Sequence, residues 1–198
     1  MSSSARREQL LDVTTELVGH QGFQNVTIEL VSRSAGITRP IVYEHFGDLQ
    51  GLLDAVVERE MARALSQVSE TALTELTEGP PVELMIESLS SYLHTVQTHP
   101  TTWRLVLMPS EGAPEILRER IAQGRAAVLA QLIGAVRPAL ATEGEPPDAE
   151  LTARLLSAIS DEYARLLLAD PARFPPERLL RHARWVLERA VSAEGRLA

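Results

Sequence analysis

Residues Thr27 to Phe46, TIELVSRSAGITRPIVYEHF, read as two short helices joined by a tight turn, and the rest of the chain is arranged around them. The spacing predicts a first helix over residues 28 to 35, with Thr27 as N-cap, its hydroxyl accepting from a backbone N–H that has no intrahelical partner. Ile28, Leu30, Val31 and Ala35 give this helix a buried side. Gly36 can take the left-handed conformation that ends a helix in one residue, and Ile37 supplies a hydrophobic plug under the turn. Thr38 then caps a second helix whose opening, Arg39-Pro40-Ile41, puts proline where a missing N–H removes no bond. Val42, Tyr43 and Phe46 come next, and Gly47-Asp48 closes the helix. Two turns of helix do not stand alone in water. Neighbours must hold them and leave one face free, which is how a helix enters a DNA groove.

Taken together, Thr27, Ala35-Gly36-Ile37-Thr38, Tyr43-Glu44-His45-Phe46 and Leu52-Leu53 resemble the tetracycline-repressor (TetR) family of bacterial regulators. The resemblance covers the first quarter of the chain; beyond it the helices match only in number and layout. It implies that Thr27, Thr38, Tyr43 and His45 contact phosphates and that Arg39, Pro40 and Ile41 face base edges. The chemistry suits those roles. Hydroxyl, phenol and imidazole groups donate to phosphate oxygens and fix register without reading sequence. Arg39 can pair bidentately with a guanine, while Pro40 or Ile41 can lie against a thymine methyl. The competing readings are that Thr38 is only a cap, that His45 packs on the next helix, and that Val42 and Phe46 are core. The chain departs from the family where Leu49 replaces a usual lysine, and where Leu30 and Ser32 replace an acid and an alanine. Residues 1 to 48 hold four arginines against six acids, a balance of −2, although backbone affinity comes largely from cations. Arg6 and Arg7 are therefore expected on an N-terminal arm reaching an adjacent phosphate or the minor groove.

At 198 residues and 44% hydrophobic content, the chain suits a small reading head plus a larger helical body. No 18-residue apolar run is present. Met-Ser-Ser-Ser-Ala-Arg-Arg lacks the apolar core of a signal peptide, and there is no cysteine, so a cytoplasmic location is expected. A net charge of −8 argues against coating a polyanion and requires any nucleic-acid contact to be local.

Leu10, Leu11, Val13, Thr14, Leu17 and Val18 recur at helical spacing over residues 5 to 21, with a Schellman ending expected at Gly22. A long helix is expected from Leu49 to Leu76, then others over 82–96, 100–108 and 116–137, with a solvated loop at 139–147. Two more, 148–169 and 176–193, complete the pattern. The expected fold is all-α: a three-helix helix-turn-helix DNA-binding domain at 1–48, and a helical effector-binding and dimerisation domain at 49–198, about nine helices together.

No nucleophile elbow, phosphate-binding glycine loop or His-Glu-x-x-His occurs, so neither enzyme chemistry nor a cofactor is expected. Tyr92, His94, Trp103, Met108 and Tyr163 combine apolar bodies with polar tips or soft sulfur, which suits the lining of a pocket for an apolar or aromatic effector; ordinary core is the competing reading. Leu156, Leu167, Leu180, Trp185 and Leu187 on the last two helices are expected to form a homodimer interface. The composite expectation is a regulator, a repressor binding a palindromic operator in double-stranded DNA as a homodimer and released by a small molecule. The alternatives are a regulator switched without a small ligand, and a helical carrier or enzyme with a vestigial reading head.

Overall fold

The computed structural model of the chain describes residues 2–71, 81–110, 112–140 and 148–194. Their elements are α1 Ser3–Gln21, α2 Ile28–Ser34, α3 Arg39–Phe46, α4 Leu49–Thr71, α5 Pro81–Thr98, α6 Pro100–Leu107, α7 Glu115–Leu140, α8 Ala149–Ala169 and α9 Pro176–Glu194, plus a 3-10 turn at Phe23–Asn25. The fold is all-α, with α1, α2 and α3 forming an N-terminal helix-turn-helix. The expected extension of α4 to Leu76 and residues 141–147 of the expected loop lie outside the described residues. α7 runs through Pro138 to Leu140 instead of stopping before the proline, so that only its last turn follows the backbone bond the proline gives up.

The chain forms two compact units, Met1–Ser66 with Thr101–Arg125, and Gln67–Pro100 with Ala126–Ala198. The first takes in α4 as far as Ser66. A seven-residue α2 and an eight-residue α3 offer too little apolar area to bury one another, and α4 supplies the remainder. Leu10, Leu11, Val31, Val42, Leu52, Val56 and Val57 are all fully buried together with Phe23 and Val26, each contributing about 1.5–3 kcal/mol of burial for the larger side chains.

A polar network ties α6 and α1 to α4 in this unit. The Glu60 side chain, 1% exposed, accepts from Arg59 Nε at 3.1 Å, Arg63 Nη1 at 3.0 Å and Thr102 Oγ1 at 2.5 Å. Arg59 also donates to Glu8 at 3.1 Å, Asp12 at 2.8 Å and Thr15 Oγ1 at 3.0 Å. Charges so deep in a helical core persist only when paired and hydrogen-bonded, and this carboxylate has three donors.

In the second unit α5 packs on α8 and α9. Leu89, Leu93 and Val96 are buried there, as are Ala153, Ala164, Leu167, Leu168, Leu179 and Ala183. Arg184 of α9 grips both carboxylate oxygens of Glu83 on α5, with Nη2 to Oε2 at 2.8 Å. That hydrogen bonding holds the Glu83 carboxyl below its ordinary value of 4.5. The pair's contribution is complete above that value and fades as pH falls through the lowered one. Asp148 caps α8 by accepting from the Glu150 and Leu151 N–H groups.

Candidate nucleic-acid interface

The turn between α2 and α3 is built as its residues dictate. Thr27 Oγ1 accepts from Leu30 N–H at 3.1 Å, which leaves the hydroxyl proton to donate elsewhere. At the other end of α2, Gly36 takes φ +66°. Ile37 N–H donates to Ser32 O at 2.9 Å and Gly36 N–H to Arg33 O at 3.2 Å, the two bonds of a Schellman ending. The ending expected at Gly22 does not form: its ψ of 161° is extended, and the chain leaves α1 into the 3-10 turn. α1 clamps the α2–α3 turn through Gln9 Nε2, which donates to Ala35 O at 3.3 Å.

α3 is anchored by Val42, which is fully buried, and Tyr43 beside it is 50% exposed. Thr27, Thr38, Arg39 and Pro40 are exposed, while Ile41 and His45 are half-buried. Thr38 has no side-chain capping bond, so the cap reading of this threonine fails and its hydroxyl stays at the surface. The two helix starts are joined at the surface by Arg39 Nη2 and Glu29 Oε2, 2.7 Å apart. One face of α3 thus presents a hydroxyl, a guanidinium and a phenol while the opposite face is core.

Arg6 and Arg7 are not on an arm. Ser2 caps α1, its Oγ accepting from Ala5 N–H at 3.1 Å, so both arginines are helical. Arg6 donates to Gln9, and the Arg7 guanidinium lies 5.0 Å from the centre of the Phe46 ring, pinning the end of α3 to α1. The other end of that joint depends on Gly51. Its N–H donates to the Asp48 carboxylate at 2.8 Å, and a Cβ there would sit 2.3 Å from Phe46 O, so α4 starts hard against the end of α3. A glycine inside an apolar helical pattern is a signal for such close approach.

The five expected pocket residues divide between the units: Trp103 and Met108 in the first, Tyr92, His94 and Tyr163 in the second. Trp103 is 4% and Tyr163 8% exposed, Met108 and His94 are exposed, and Tyr92 is half-buried. Tyr92 O–H donates to Asp161 at 3.3 Å. Tyr163 O–H and His182 Nδ1 are hydrogen-bonded at 2.8 Å, and burial pushes the Tyr163 phenol up. A cleft of about 250 Å³ in the first unit is lined by Val106, Pro109, Arg118, Ile121, Ala122 and Arg125, none of which side-chain character singles out. Val106 of α6, four residues of α7 and Pro109 between the two helices make it, and helical periodicity carries no sign of how two helices meet.

Of the expected interface residues, Leu167 is 2% exposed because it faces α8's own core, so it is unavailable to a second chain. Leu156, Leu180 and Leu187 are half-buried, and Trp185 is 53% exposed, stacked on His182 with Arg189 over its ring at 4.7 Å. The apolar side chains of α8 left uncovered are instead Leu151, Leu155 and Ile159, at 59%, 65% and 41% exposure. They stand four residues apart, on one stripe.

Known proteins share both this geometry and this sequence. Residues 10–56, from α1 into α4, match the family described as bacterial regulatory proteins, tetR family. The chain is 28% identical over 191 residues to the HTH-type transcriptional regulator BetI of Paraburkholderia phytofirmans, covering 83% of this chain and 94% of that one. It is 33% identical over 86 residues to BetI of Escherichia coli O45:K1, spanning 43% of each. A TetR-like transcriptional regulator from Rhodococcus sp. RHA1 has the same fold, with TM-score 0.71 at 18% identity over 97% of this chain and 98% of that one. The helix-turn-helix of α2 and α3 is thus a DNA-binding one of the TetR-family kind, and the chain as a whole is similar to bacterial transcriptional regulators of that family.

Proposed function

We propose that the protein is a cytoplasmic repressor that binds a palindromic operator as a homodimer and is released by a small-molecule effector. Residues 1–48 are the reading head and 49–198 the effector-binding and dimerisation body in this reading. One observation carries it: the first turn of α3 offers Arg39 and Pro40 to solvent, with Thr38 just before it and Tyr43 just after, while Val42 is fully buried. Thr27, Thr38, Tyr43 and His45 contact phosphates and Arg39, Pro40 and Ile41 meet base edges. One head makes few base contacts. Two related by a two-fold axis bind half-sites one turn (~34 Å) or a multiple apart.

The dimer forms on Leu151, Leu155 and Ile159 of α8 and Trp185 of α9, with Leu156, Leu180 and Leu187 at its margin. A two-fold interface repeats every substitution, so Leu155→Arg buries an unpaired charge in each copy. Sedimentation of the variant is expected to show a dimer dissociation constant raised roughly 100-fold or more. An unchanged dimer would remove α8 from the interface.

The effector acts by binding one state of the dimer better than the other, since equal affinity for both shifts nothing. The candidates for its contacts are Trp103 and Met108 in the first unit or, alternatively, Tyr92, His94 and Tyr163 in the second. The cleft, lined by apolar Val106, Pro109, Ile121 and Ala122 together with Arg118 and Arg125, suits a small apolar molecule carrying an acid group. Tyr43→Phe tests the phosphate assignments. Losing one hydrogen bond to a charged group is expected to weaken binding about tenfold per head, roughly 100-fold over both, on every duplex alike, read by fluorescence anisotropy across a salt series. A change in sequence preference would instead make Tyr43 a base reader.

A further inference from the structure

We propose that Glu29 is a positioning residue for base reading: it holds the Arg39 guanidinium so that this group engages a guanine and not whichever phosphate is nearest. The inference rests on the DNA-reading role of α3 and deepens it. Acid at a DNA-facing position in a head already at −2 works against backbone affinity, so what Glu29 contributes must be something else. Its carboxylate stands in the first turn of α2 and reaches across the turn to the first residue of α3, Oε2 to Arg39 Nη2 at 2.7 Å. Both side chains are more than half exposed, 63% and 57%, so the pair lies on the surface that carries Thr38 and Tyr43.

The geometry of a guanidinium makes this contact selective. It has two edges that each present a pair of parallel N–H donors, Nε with Nη2 and Nη1 with Nη2. A carboxylate oxygen taking one N–H of Nη2 spoils one edge and leaves the other whole. Guanine O6 and N7 are two acceptors side by side, the match for an intact edge. Adenine offers N7 beside a donor, and thymine a single acceptor beside a methyl, so neither rewards a fixed fork equally. An unrestrained arginine on a long side chain would swing to a phosphate on any sequence, gaining affinity without information. The ion pair neutralises that pull and fixes the plane. Exposed Glu44 succeeds Tyr43 on α3 and Arg33 lies in the last turn of α2, but the ion pair formed by Arg39 is with Glu29.

The test uses the duplex that the full-length parent protein recovers from a random pool, and single base-pair variants of it, titrated with parent, Glu29→Gln, Arg39→Ala and the double variant. Glu29→Gln keeps the size of the side chain and removes the charge. It is expected to cut discrimination at the guanine read by Arg39 by roughly threefold per half-site, about tenfold over both. Affinity for unrelated duplexes is expected to rise, with a salt dependence steeper by about one counterion per head. In the Arg39→Ala background the same change should leave discrimination at every position as it was. Full retention of discrimination by Glu29→Gln, or an equal effect with and without Arg39, would overturn the proposal and leave Glu29 a helix-start acid. If the parent recovers no sequence, the DNA-reading role itself fails, and this inference with it.

Discussion

Arg39→Ala is expected to abolish the preference for one base pair in each half-site and to leave most of the non-specific affinity in place. A bidentate arginine–guanine contact is worth about 1–3 kcal/mol of discrimination, and a two-fold dimer loses it twice. The operator should therefore bind roughly 30- to 20,000-fold more weakly, since about 2–6 kcal/mol is removed in all. Unrelated duplexes should change by a factor of a few, in either direction. Two features of the structure lie behind the asymmetry. The guanidinium is exposed at the first residue of α3, and its charge is already matched by Glu29 at 2.7 Å, so little of it is spread over the phosphates. Titration of operator and scrambled duplex at fixed salt separates the outcomes. Equal weakening of both would mean that Arg39 positions the head on the backbone and reads nothing.

Glu60→Ala is expected to destabilise the protein by about 3–5 kcal/mol, the usual result of breaking one side of a buried ion pair. For a chain of this length that corresponds to a melting temperature lower by about 6–20 °C. The change leaves the Thr102 hydroxyl without its acceptor and removes a carboxylate shared by Arg59 and Arg63. Arg59 is 12% exposed and keeps Asp12 at 2.8 Å and Glu8 at 3.1 Å, which caps the loss. Glu60→Gln retains an acceptor for Thr102 and should cost less, on the order of 1–3 kcal/mol. Thermal unfolding monitored by circular dichroism distinguishes them. A Glu60→Ala protein that melts with the parent would mean that the network is an accident of surface charges.

Whether a feature is legible in the order of residues depends on where it gets its energy. α2, the Gly36 turn and the proline-started α3 are local: a cap, a left-handed glycine and a tolerated proline specify them within twenty residues, and the structure has them. The same local reasoning misplaces the Schellman ending at Gly22, because whether a glycine takes ψ near 161° or a left-handed helical value depends on how the next residues pack. Thr38 looks like a cap by type and position, yet it makes no such bond. Arg6 and Arg7 look like an arm because Met-Ser-Ser-Ser resembles a tail; Ser2 is a cap, and it carries the helix out to the arginines.

Tertiary features escape altogether. Glu60 sits in a run, Glu58-Arg59-Glu60, that by composition belongs on a wet face, and only the arrival of α1 and α6 on either side of α4 buries it. Glu29 counts in the sequence as one more acid against DNA binding, since nothing in the order of residues shows it beside Arg39. Which apolar side chains of α8 face outward cannot be chosen without the core: Leu167 goes inside and Leu155 stays out. Residues that suit a pocket by side-chain character alone scatter over both units, since an aromatic with a polar tip serves core and cavity equally.

If the outward-facing first turn of α3 reads base edges once in each half of a two-fold dimer, the DNA the protein chooses must carry that symmetry. Selection of bound duplexes from a random-sequence pool, run side by side with the parent protein and with Arg39→Ala, asks this without intermediaries. The parent is expected to enrich an inverted repeat whose half-site centres lie about one helical turn, or a multiple of it, apart, with a guanine in each half that Arg39→Ala no longer retains. A parent that enriches nothing, enriches a site without two-fold symmetry, or enriches the same guanine with and without Arg39 would contradict this reading of α3.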